Sequence, residues 1–193
     1  MNNFFALIMR QKYIRRWGLM RNTRSESLCE HAYETAVLAH ALATIGNEIF
    51  GKAYDPNLAA SAALFHDAPE VYTGDLPTPV KYFNEGIRET YRLIEENAKS
   101  RLLDELPTPL RPAYAPLINE SLDADHTRLV KAADKLSAYI KCLEEKKSGN
   151  DEFDSARETT LASLKALHSP ELDYFIEHLL PGFEKNLDQQ SGK

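Results

Sequence analysis

Two histidines and two aspartates are the residues of this chain best suited to chemistry: His31, the adjacent pair His66-Asp67, and Asp134. Two imidazole nitrogens and two carboxylates can hold one divalent metal ion, with water at the remaining positions. An ion held in this way lowers the pKa of a bound water and attracts a phosphoryl oxygen. The pattern therefore predicts a chain that hydrolyses a phosphate ester.

Each of these residues also has a structural explanation. A His-Asp pair is common by chance, and His31 would also suit a polar position at a helix start. Asp134 is more informative, because residues 129–136 are mostly small and apolar. An unpaired carboxylate in such a segment costs several kcal/mol. Either a metal ion or an ion pair with Lys131 or Lys135 would remove that cost.

Apolar residues recur at helical spacing along most of the chain. This periodicity predicts an all-α fold, an irregular helical bundle, whose helices must position these residues. Asp55 is a suitable N-cap with Pro56 in the first helical position, and Pro69 should bend or end the same helix after the His-Asp pair. We expect either Asp123 or Asp125 to cap the helix that carries Asp134. The predicted helices span residues 2–16, 28–46, 56–67, 84–105, 109–120, 126–147, 151–167 and 171–188.

Glu70 follows His66 by four residues and Asp67 by three, which places its carboxylate on the same helical face. A carboxylate beside a metal ion, but not bound to it, can orient water or transfer a proton. Residues 74–79, with two prolines and a glycine, are predicted to form a stiff loop.

Composition limits the function classes. A chain of 193 residues is predicted to form a single domain over residues 1–193. A net charge of −6 argues against a nucleic-acid polymer as partner, because such a partner requires a basic face. Six basic residues nevertheless fall close together, which suits a small anionic ligand or, equally, a solvated surface. They are Arg10, Lys12, Arg15, Arg16, Arg21 and Arg24.

The chain contains only two cysteines, Cys29 and Cys142, which is too few for a disulfide framework. The apolar run of residues 4–9 is too short for a signal peptide or a membrane span. We therefore expect a cytoplasmic protein with no membrane partner.

The order of His31, His66-Asp67 and Asp134 resembles that of the HD superfamily of metal-dependent phosphohydrolases. Residues 66–84 extend this likeness to the bacterial 5′-deoxynucleotidases of that superfamily. So do Arg16-Trp17, residues 19–22, the pair Glu30-His31, and residues 139–145. The likeness covers most of the chain, and Pro69 is the clear departure from the pattern.

This resemblance implies an HD-type helical fold and a hydrolase that acts on deoxyribonucleoside 5′-monophosphates, working as a homodimer. It implies four metal ligands, His31, His66, Asp67 and Asp134, with Glu70 as the catalytic carboxylate and Arg16 as its partner in catalysis. The implied substrate contacts are Arg16, Trp17, His31, Asp67, Asp75, Leu76, Pro77, Thr78 and Asp134.

The residue chemistry agrees with these roles. The planar guanidinium of Arg16 suits a phosphate, and a stiff wall at residues 75–78 can exclude a 2′-hydroxyl. Two residues keep alternative explanations, since Trp17 would also suit the core and Asp75 would also suit a helix cap. The metal stays open among manganese, iron, cobalt, zinc and copper, with cobalt or manganese expected.

Two other functions are compatible with the sequence. One is an HD phosphohydrolase that acts on another phosphate, such as a signalling nucleotide. The other is a helical nucleotide-binding module without turnover, against which the complete ligand set and Glu70 weigh.

Overall fold

A computed structural model describes residues 2–192 of the chain, and its regular structure is helical. Within those residues no β-strand forms, and Arg15 and Ser27 make one isolated antiparallel bridge. The predicted all-α class is confirmed. The α-helices are α1 (Phe4–Ile8), α2 (Leu28–Phe50), α3 (Pro56–Phe65), α4 (Glu70–Thr73), α5 (Thr78–Lys81), α6 (Glu85–Asp104), α7 (Arg111–Ile118), α8 (Ala124–Lys147), α9 (Asp154–Lys165), α10 (Pro170–His178) and α11 (Leu187–Gln190).

The long helices α2 and α8 form the centre of the molecule, and α3, α9 and α10 pack around them. Small side chains dominate the surfaces where α2, α3 and α8 meet, including Ala39, Ala63 and Ala133, which are fully buried. Small contact residues let helix axes approach closely. The three helices that carry the predicted metal ligands are therefore held together by one apolar core.

Helix α2 begins and ends at well-defined caps. Ser27 and Glu30 form a reciprocal capping box at its start, and Gly51 ends it in the left-handed conformation. The prediction that this helix ends at Gly46 was wrong. Gly46 lies inside the helix. A Cβ at this position would lie 2.5 Å from the ring of Tyr54, so the glycine here permits close packing and does not end the helix.

The predicted caps of α3 and α8 are confirmed in detail. Asp55 accepts hydrogen bonds from the backbone N–H groups of Asn57 and Leu58, and Pro56 is the first helical residue. For α8 the cap is Asp123 and not Asp125, since Asp123 accepts from the backbone N–H of His126.

The N-terminal helix is shorter than predicted. Helix α1 ends at Ile8, a 3₁₀ turn continues to Tyr13, and Ile14 is extended. The backbone of residues 14–16 then pairs with that of residues 26–28, through bonds from Leu28 N–H to the Ile14 carbonyl and from Arg16 N–H to the Glu26 carbonyl. Residues 14–16 are therefore extended and paired with residues 26–28, and the helix does not continue through them.

Two further segments are broken where one helix was predicted. The segment 151–167 starts as a 3₁₀ turn (Asp151–Phe153) before α9. The segment 171–188 divides into α10, a 3₁₀ turn (Leu180–Glu184) that contains Pro181, and α11. A proline lacks the N–H that an α-helix needs at such a position.

No helix within residues 2–192 is both long and apolar enough to span a bilayer.

Candidate active site

The predicted metal ligands converge from three elements. His31 lies in the first turn of α2, His66 ends α3, Asp67 is in the turn that follows, and Asp134 lies in the middle of α8. Because α2 packs against both α3 and α8, residues that are distant in sequence meet at one point. His31 is completely buried, whereas the two carboxylates are partly accessible from outside.

Both imidazoles direct Nε2 towards the carboxylates. His31 Nε2 lies 3.1 Å from Asp134 Oδ1 and 3.7 Å from Asp67 Oδ2. His66 Nε2 lies 3.1 Å from Asp67 Oδ2 and 3.9 Å from Asp134 Oδ1. Donor atoms that share one ion at about 2.1 Å lie roughly 3.0 to 3.4 Å apart, so these separations are close to those of a ligand set.

The other nitrogen of each imidazole is already engaged. His66 Nδ1 lies 2.6 Å from the Ala63 carbonyl, which can only accept, so Nδ1 carries the proton. His31 Nδ1 lies 3.1 Å from Ser137 Oγ, and this hydroxyl donates to Glu34. Neutral imidazoles held in this way present an unprotonated Nε2, which is the form that binds metal.

The four residues fit a divalent cation. His66 Nε2 is buried and has no hydrogen-bond partner of suitable geometry among the described residues, although Asp67 is near. Donor atoms of His31, His66 and Asp134 all lie within 4.8 Å of one another, and Asp67 approaches both imidazoles. A cation at their centre would satisfy two lone pairs and two carboxylates together.

The alternative explanation for Asp134 was an ion pair with a lysine. In the described part of the chain its ion-pair partners are His31 and His66, and neither Lys131 nor Lys135 is within reach. The cost of this carboxylate is therefore relieved at the candidate metal site.

Electrostatics of the protein alone place a proton where a metal ion would bind. Burial opposes protonation of His66, but attraction to Asp67 and Asp134 raises its pKa to about 9. Burial and repulsion from Arg16 lower the pKa of His31. Because metal binding displaces protons from its ligands, a divalent ion would replace the proton on His66.

Glu70 lies near the site but not in the helical register that we predicted. Helix α3 ends at Phe65, and Glu70 is the first residue of α4, with its N–H bonded to the Asp67 carbonyl at 3.1 Å. Pro69 was predicted to bend or end this helix, and α3 ends before it. One Glu70 carboxyl oxygen is buried without a hydrogen-bond partner in the described structure. Burial, then repulsion from Asp67 and Asp75, raises the pKa of Glu70 to about 9.

Arg16 and Trp17 reach the site from the segment before α2. The Arg16 guanidinium is largely buried, and although burial alone would lower its pKa, the charges of Glu26, Asp134 and Asp67 raise it. Arg16 Nη1 donates to Glu26 Oε1 and Trp17 Nε1 donates to Glu26 Oε2, both at 2.8 Å. The Trp17 ring also packs on Phe153, with 5.2 Å between ring centroids.

The predicted loop of residues 74–79 contains a short helix. Gly74 has a positive φ and Pro77 precedes α5, whose first residue is Thr78. Asp75 is half-buried, and burial raises its pKa while the nearby Arg16 opposes the rise. Leu76 and Pro77 are half-buried and Thr78 is exposed. Within this segment, Asp75 lies close enough to the site for the charges of Arg16 and Asp67 to act on its pKa.

The six clustered basic residues separate in space. Arg16 alone among them points to the site, and the other five are exposed. Arg24 pairs with Glu30 at 3.3 Å, and Arg21 lies 4.0 Å from Asp151. Five of the six residues therefore fit the solvated-surface explanation, and Arg16 is the one that lies at the site.

Three groups at the site escaped sequence analysis: Glu26, Ser137 and the backbone carbonyl of Ala63. No sequence signal marks a serine or a carbonyl as the partner of a distant histidine. The Ser-x-x-Glu pattern of Ser27 and Glu30 would have placed the start of α2 and drawn attention to Glu26 before it.

Comparison with known proteins matches the chain to a family over nearly its whole length. The family described as 5′-deoxynucleotidase YfbR-like matches residues 3–183. The 5′-deoxynucleotidase YfbR of Escherichia coli K12 is 49% identical over 191 residues, which cover 98% of this chain and 96% of that protein. The protein of the same name from Escherichia coli O157:H7 gives the same values.

Solved structures share the fold. An HD-domain phosphohydrolase from Listeria innocua superposes with a TM-score of 0.80 at 23% identity, covering 98% of this chain and 95% of that one. The cyanophage S-2L HD phosphohydrolase, solved bound to dA and one catalytic Zn²⁺ ion, gives a TM-score of 0.67 at 21% identity, covering 91% and 95%. These likenesses confirm the predicted HD-type helical fold.

Proposed function

The chain belongs to the family of YfbR-like 5′-deoxynucleotidases, and we propose that it hydrolyses deoxyribonucleoside 5′-monophosphates to deoxyribonucleosides and phosphate. The observation that carries this proposal is the arrangement of His31, His66, Asp67 and Asp134, with both Nε2 atoms facing both carboxylates. We assign these four residues as ligands of one divalent metal ion, with cobalt or manganese as the expected metal.

A divalent ion in this site would supply positive charge to the phosphoryl oxygens and acidify the attacking water. The remaining requirements fall to the side chains around it. The two carboxylate ligands concentrate negative charge, which a dianionic phosphate on its own would avoid. A fixed cationic side chain is therefore needed on the substrate side.

Arg16 meets that need. Its contact with Glu26 involves Nη1, which leaves the other guanidinium nitrogens for phosphate oxygens. A guanidinium held by a carboxylate is oriented before substrate arrives, so less freedom is lost on binding. We assign Arg16 to orient the phosphate for attack and Trp17 to pack on the nucleoside.

Glu70 is assigned to move protons during the reaction. Water adds its hydroxyl group to phosphorus, the bond from phosphorus to the 5′-oxygen breaks, and the departing oxygen takes up a proton. The buried carboxyl oxygen of Glu70 without a partner is free to make the hydrogen bond that this transfer requires.

Selection of the sugar is assigned to the segment from Asp75 to Thr78. Gly74 turns the chain and Pro77 stiffens the start of α5, so the segment has little freedom to move away from a larger sugar. A wall of this kind excludes a 2′-hydroxyl by leaving it neither room nor a hydrogen-bond partner. Within this segment, Asp75 interacts electrostatically with Arg16 and Asp67.

The metal site is tested with Asp67→Ala. We expect this variant to lose both its metal, measured by elemental analysis after desalting, and its phosphate release. Asp188→Ala removes an exposed carboxylate in α11 and serves as the matched control, which should keep both. Full activity in Asp67→Ala protein that contains no metal would exclude the proposed site.

We also propose that the chain works as a homodimer. The outer face of α2 supports this, because Tyr33 and Val37 occupy adjacent turns and are 66% and 52% exposed. Sedimentation equilibrium at micromolar concentration should give twice the mass of the chain, and a monomer would contradict this part of the proposal.

A further inference from the structure

We propose that Glu26 is a positioning residue, which fixes Arg16 and Trp17 as one unit for substrate binding. The roles of Arg16 and Trp17 rest on the proposed function. Glu26 receives one donor on each carboxylate oxygen, Arg16 Nη1 on Oε1 and Trp17 Nε1 on Oε2, both at 2.8 Å. A single side chain therefore determines where both the phosphate contact and the nucleoside contact point.

The surroundings of Glu26 make this arrangement rigid. Glu26 is buried, with 6% of its surface exposed, and a buried carboxylate is stable only when it is paired and hydrogen-bonded. The charge-assisted bond from Arg16 and the bond from the Trp17 indole together satisfy that demand. His31 Nδ1 lies 3.5 Å from Glu26 Oε1, so the same carboxylate also borders the metal site.

The backbone of Trp17 adopts a conformation that is unfavourable for a bulky residue and must be stabilised by its contacts. Trp17 has a φ of 60°, in the left-handed region that bulky residues rarely adopt. Such conformations persist where surrounding contacts determine them, and they concentrate at functional sites. The bond from the Trp17 indole to Glu26 is one such contact, and the bond from Arg16 N–H to the Glu26 carbonyl is another.

Glu26 and the nearby Glu30 have different kinds of partner. Glu30 caps α2 by accepting from Ser27, which is a structural contact. Within the described residues, the hydrogen-bond and ion-pair partners of the Glu26 carboxylate are instead Arg16, Trp17 and His31, all of them predicted site residues. Without the Glu26 charge, Arg16 would be drawn towards Asp67 and Asp134, which already attract it.

The experiment uses the single tryptophan of the chain as a probe, because all indole emission comes from Trp17. Glu26→Gln replaces one acceptor oxygen by a donor and removes the charge. We expect a shifted emission maximum and stronger acrylamide quenching in the protein without substrate. With dAMP as substrate, KM should rise about tenfold or more, as expected for loss of a charge-assisted bond, and kcat should fall less.

Glu30→Gln is the matched control. It removes a carboxylate from the same end of α2 without touching Arg16 or Trp17, so it should lower the unfolding midpoint but leave the Trp17 emission and the KM of the folded protein unchanged. Glu26→Asp keeps the charge with a shorter reach and should lie between Glu26→Gln and the native protein. Helical circular dichroism identifies the folded fraction of each variant.

Unchanged Trp17 emission and quenching in folded Glu26→Gln protein would overturn the proposal. So would an unchanged KM for dAMP. The emission measurement does not need activity, and therefore a native protein inactive on dAMP would contradict the proposed function while leaving the test of Glu26 intact.

Discussion

At the level of single residues, the site depends on groups that keep each histidine in one form. His66 Nδ1 is bonded to the Ala63 carbonyl, and His31 Nδ1 to Ser137. With these partners, Nε2 of each ring faces the two aspartates and is the nitrogen that a metal ion would bind. This arrangement supports our proposal that the four side chains bind one cation.

The Glu70 carboxyl separates chemistry from binding in our proposal. Glu70→Ala should lower kcat by roughly 10²- to 10⁴-fold, the usual effect of losing a general acid or base. Its metal content should stay near that of the native protein, since Glu70 is not among the assigned ligands. Elemental analysis and steady-state kinetics on the same sample measure both quantities. Loss of the metal together with activity would make Glu70 a ligand.

Residue type together with the resemblance to the HD superfamily was sufficient to choose the four candidate ligands. The structure brings all four together, and their role as ligands stays a prediction. Their supporting partners were not predictable, since Ser137 lies 106 positions from His31 and nothing in its neighbourhood marks it. Glu26 was missed for the same reason: its function arises from contacts that only the fold creates.

At the level of elements, local signals predicted helix starts better than helix ends. Asp55 and Asp123 have capping side chains whose partners are two or three residues away, so short-range chemistry decides them. Gly46 and the end of the first helix were predicted wrongly because long-range contacts decide them. Tyr54 packs against Gly46, and residues 26–28 pair with the segment after Tyr13.

The close packing at Gly46 gives a test at this level. Alanine usually stabilises a helix relative to glycine by about 0.5 to 1 kcal/mol. Gly46→Ala should instead destabilise the protein by about 1 to 3 kcal/mol, because the new Cβ would lie 2.5 Å from the Tyr54 ring. Urea unfolding measures the difference.

Gly86→Ala is the control for this substitution, because Gly86 lies in α6 where an added Cβ meets only Asn84 Oδ1 at 3.4 Å. It should leave stability unchanged or raise it. A Gly46→Ala protein as stable as the native one would show that Tyr54 moves freely and does not fix the position of α2.

At the level of the whole molecule, an ionic network around the buried Glu171 joins α8, α10 and the segment between α2 and α3. Arg128 on α8 donates to Glu171 on α10 at 3.1 Å and to Tyr54 Oη at 2.7 Å. Ser169 also donates to Glu171. Burial alone would raise the pKa of Glu171, but the bonds from Arg128, Ser169 and Tyr54 lower it to about 2.

This network predicts a specific dependence of stability on pH. A carboxyl whose pKa is lowered from 4.5 to about 2 in the folded protein stabilises it fully above about pH 4.5. The contribution is lost as the pH falls through about 2, because the unfolded chain takes up the proton first. Glu171→Gln should be less stable than the native protein at pH 7, by about 1 to 3 kcal/mol.

Urea unfolding of both proteins between pH 7 and pH 3 measures this effect. The difference between them should be constant down to about pH 5 and then shrink. A difference that grows on acidification would reverse the sign of the linkage and contradict the assigned ion pair.

The overall class of the molecule followed from its helical periodicity, and its family followed from motifs that span most of the chain. Cys29 and Cys142 are both unpaired, as a chain without a disulfide framework requires. The single domain, the dimer and the cytoplasmic location stay predictions.

Phosphate release from paired deoxyribonucleotide and ribonucleotide substrates shows whether this chain acts as a metal-dependent 5′-deoxynucleotidase. Protein loaded with cobalt or manganese should release phosphate from deoxyribonucleoside 5′-monophosphates of different bases at similar rates. It should release little from the matching ribonucleotides, and none after treatment with a chelator. Equal rates on dAMP and AMP would contradict the sugar selection assigned to residues 75–78, and undiminished activity without metal would contradict the mechanism.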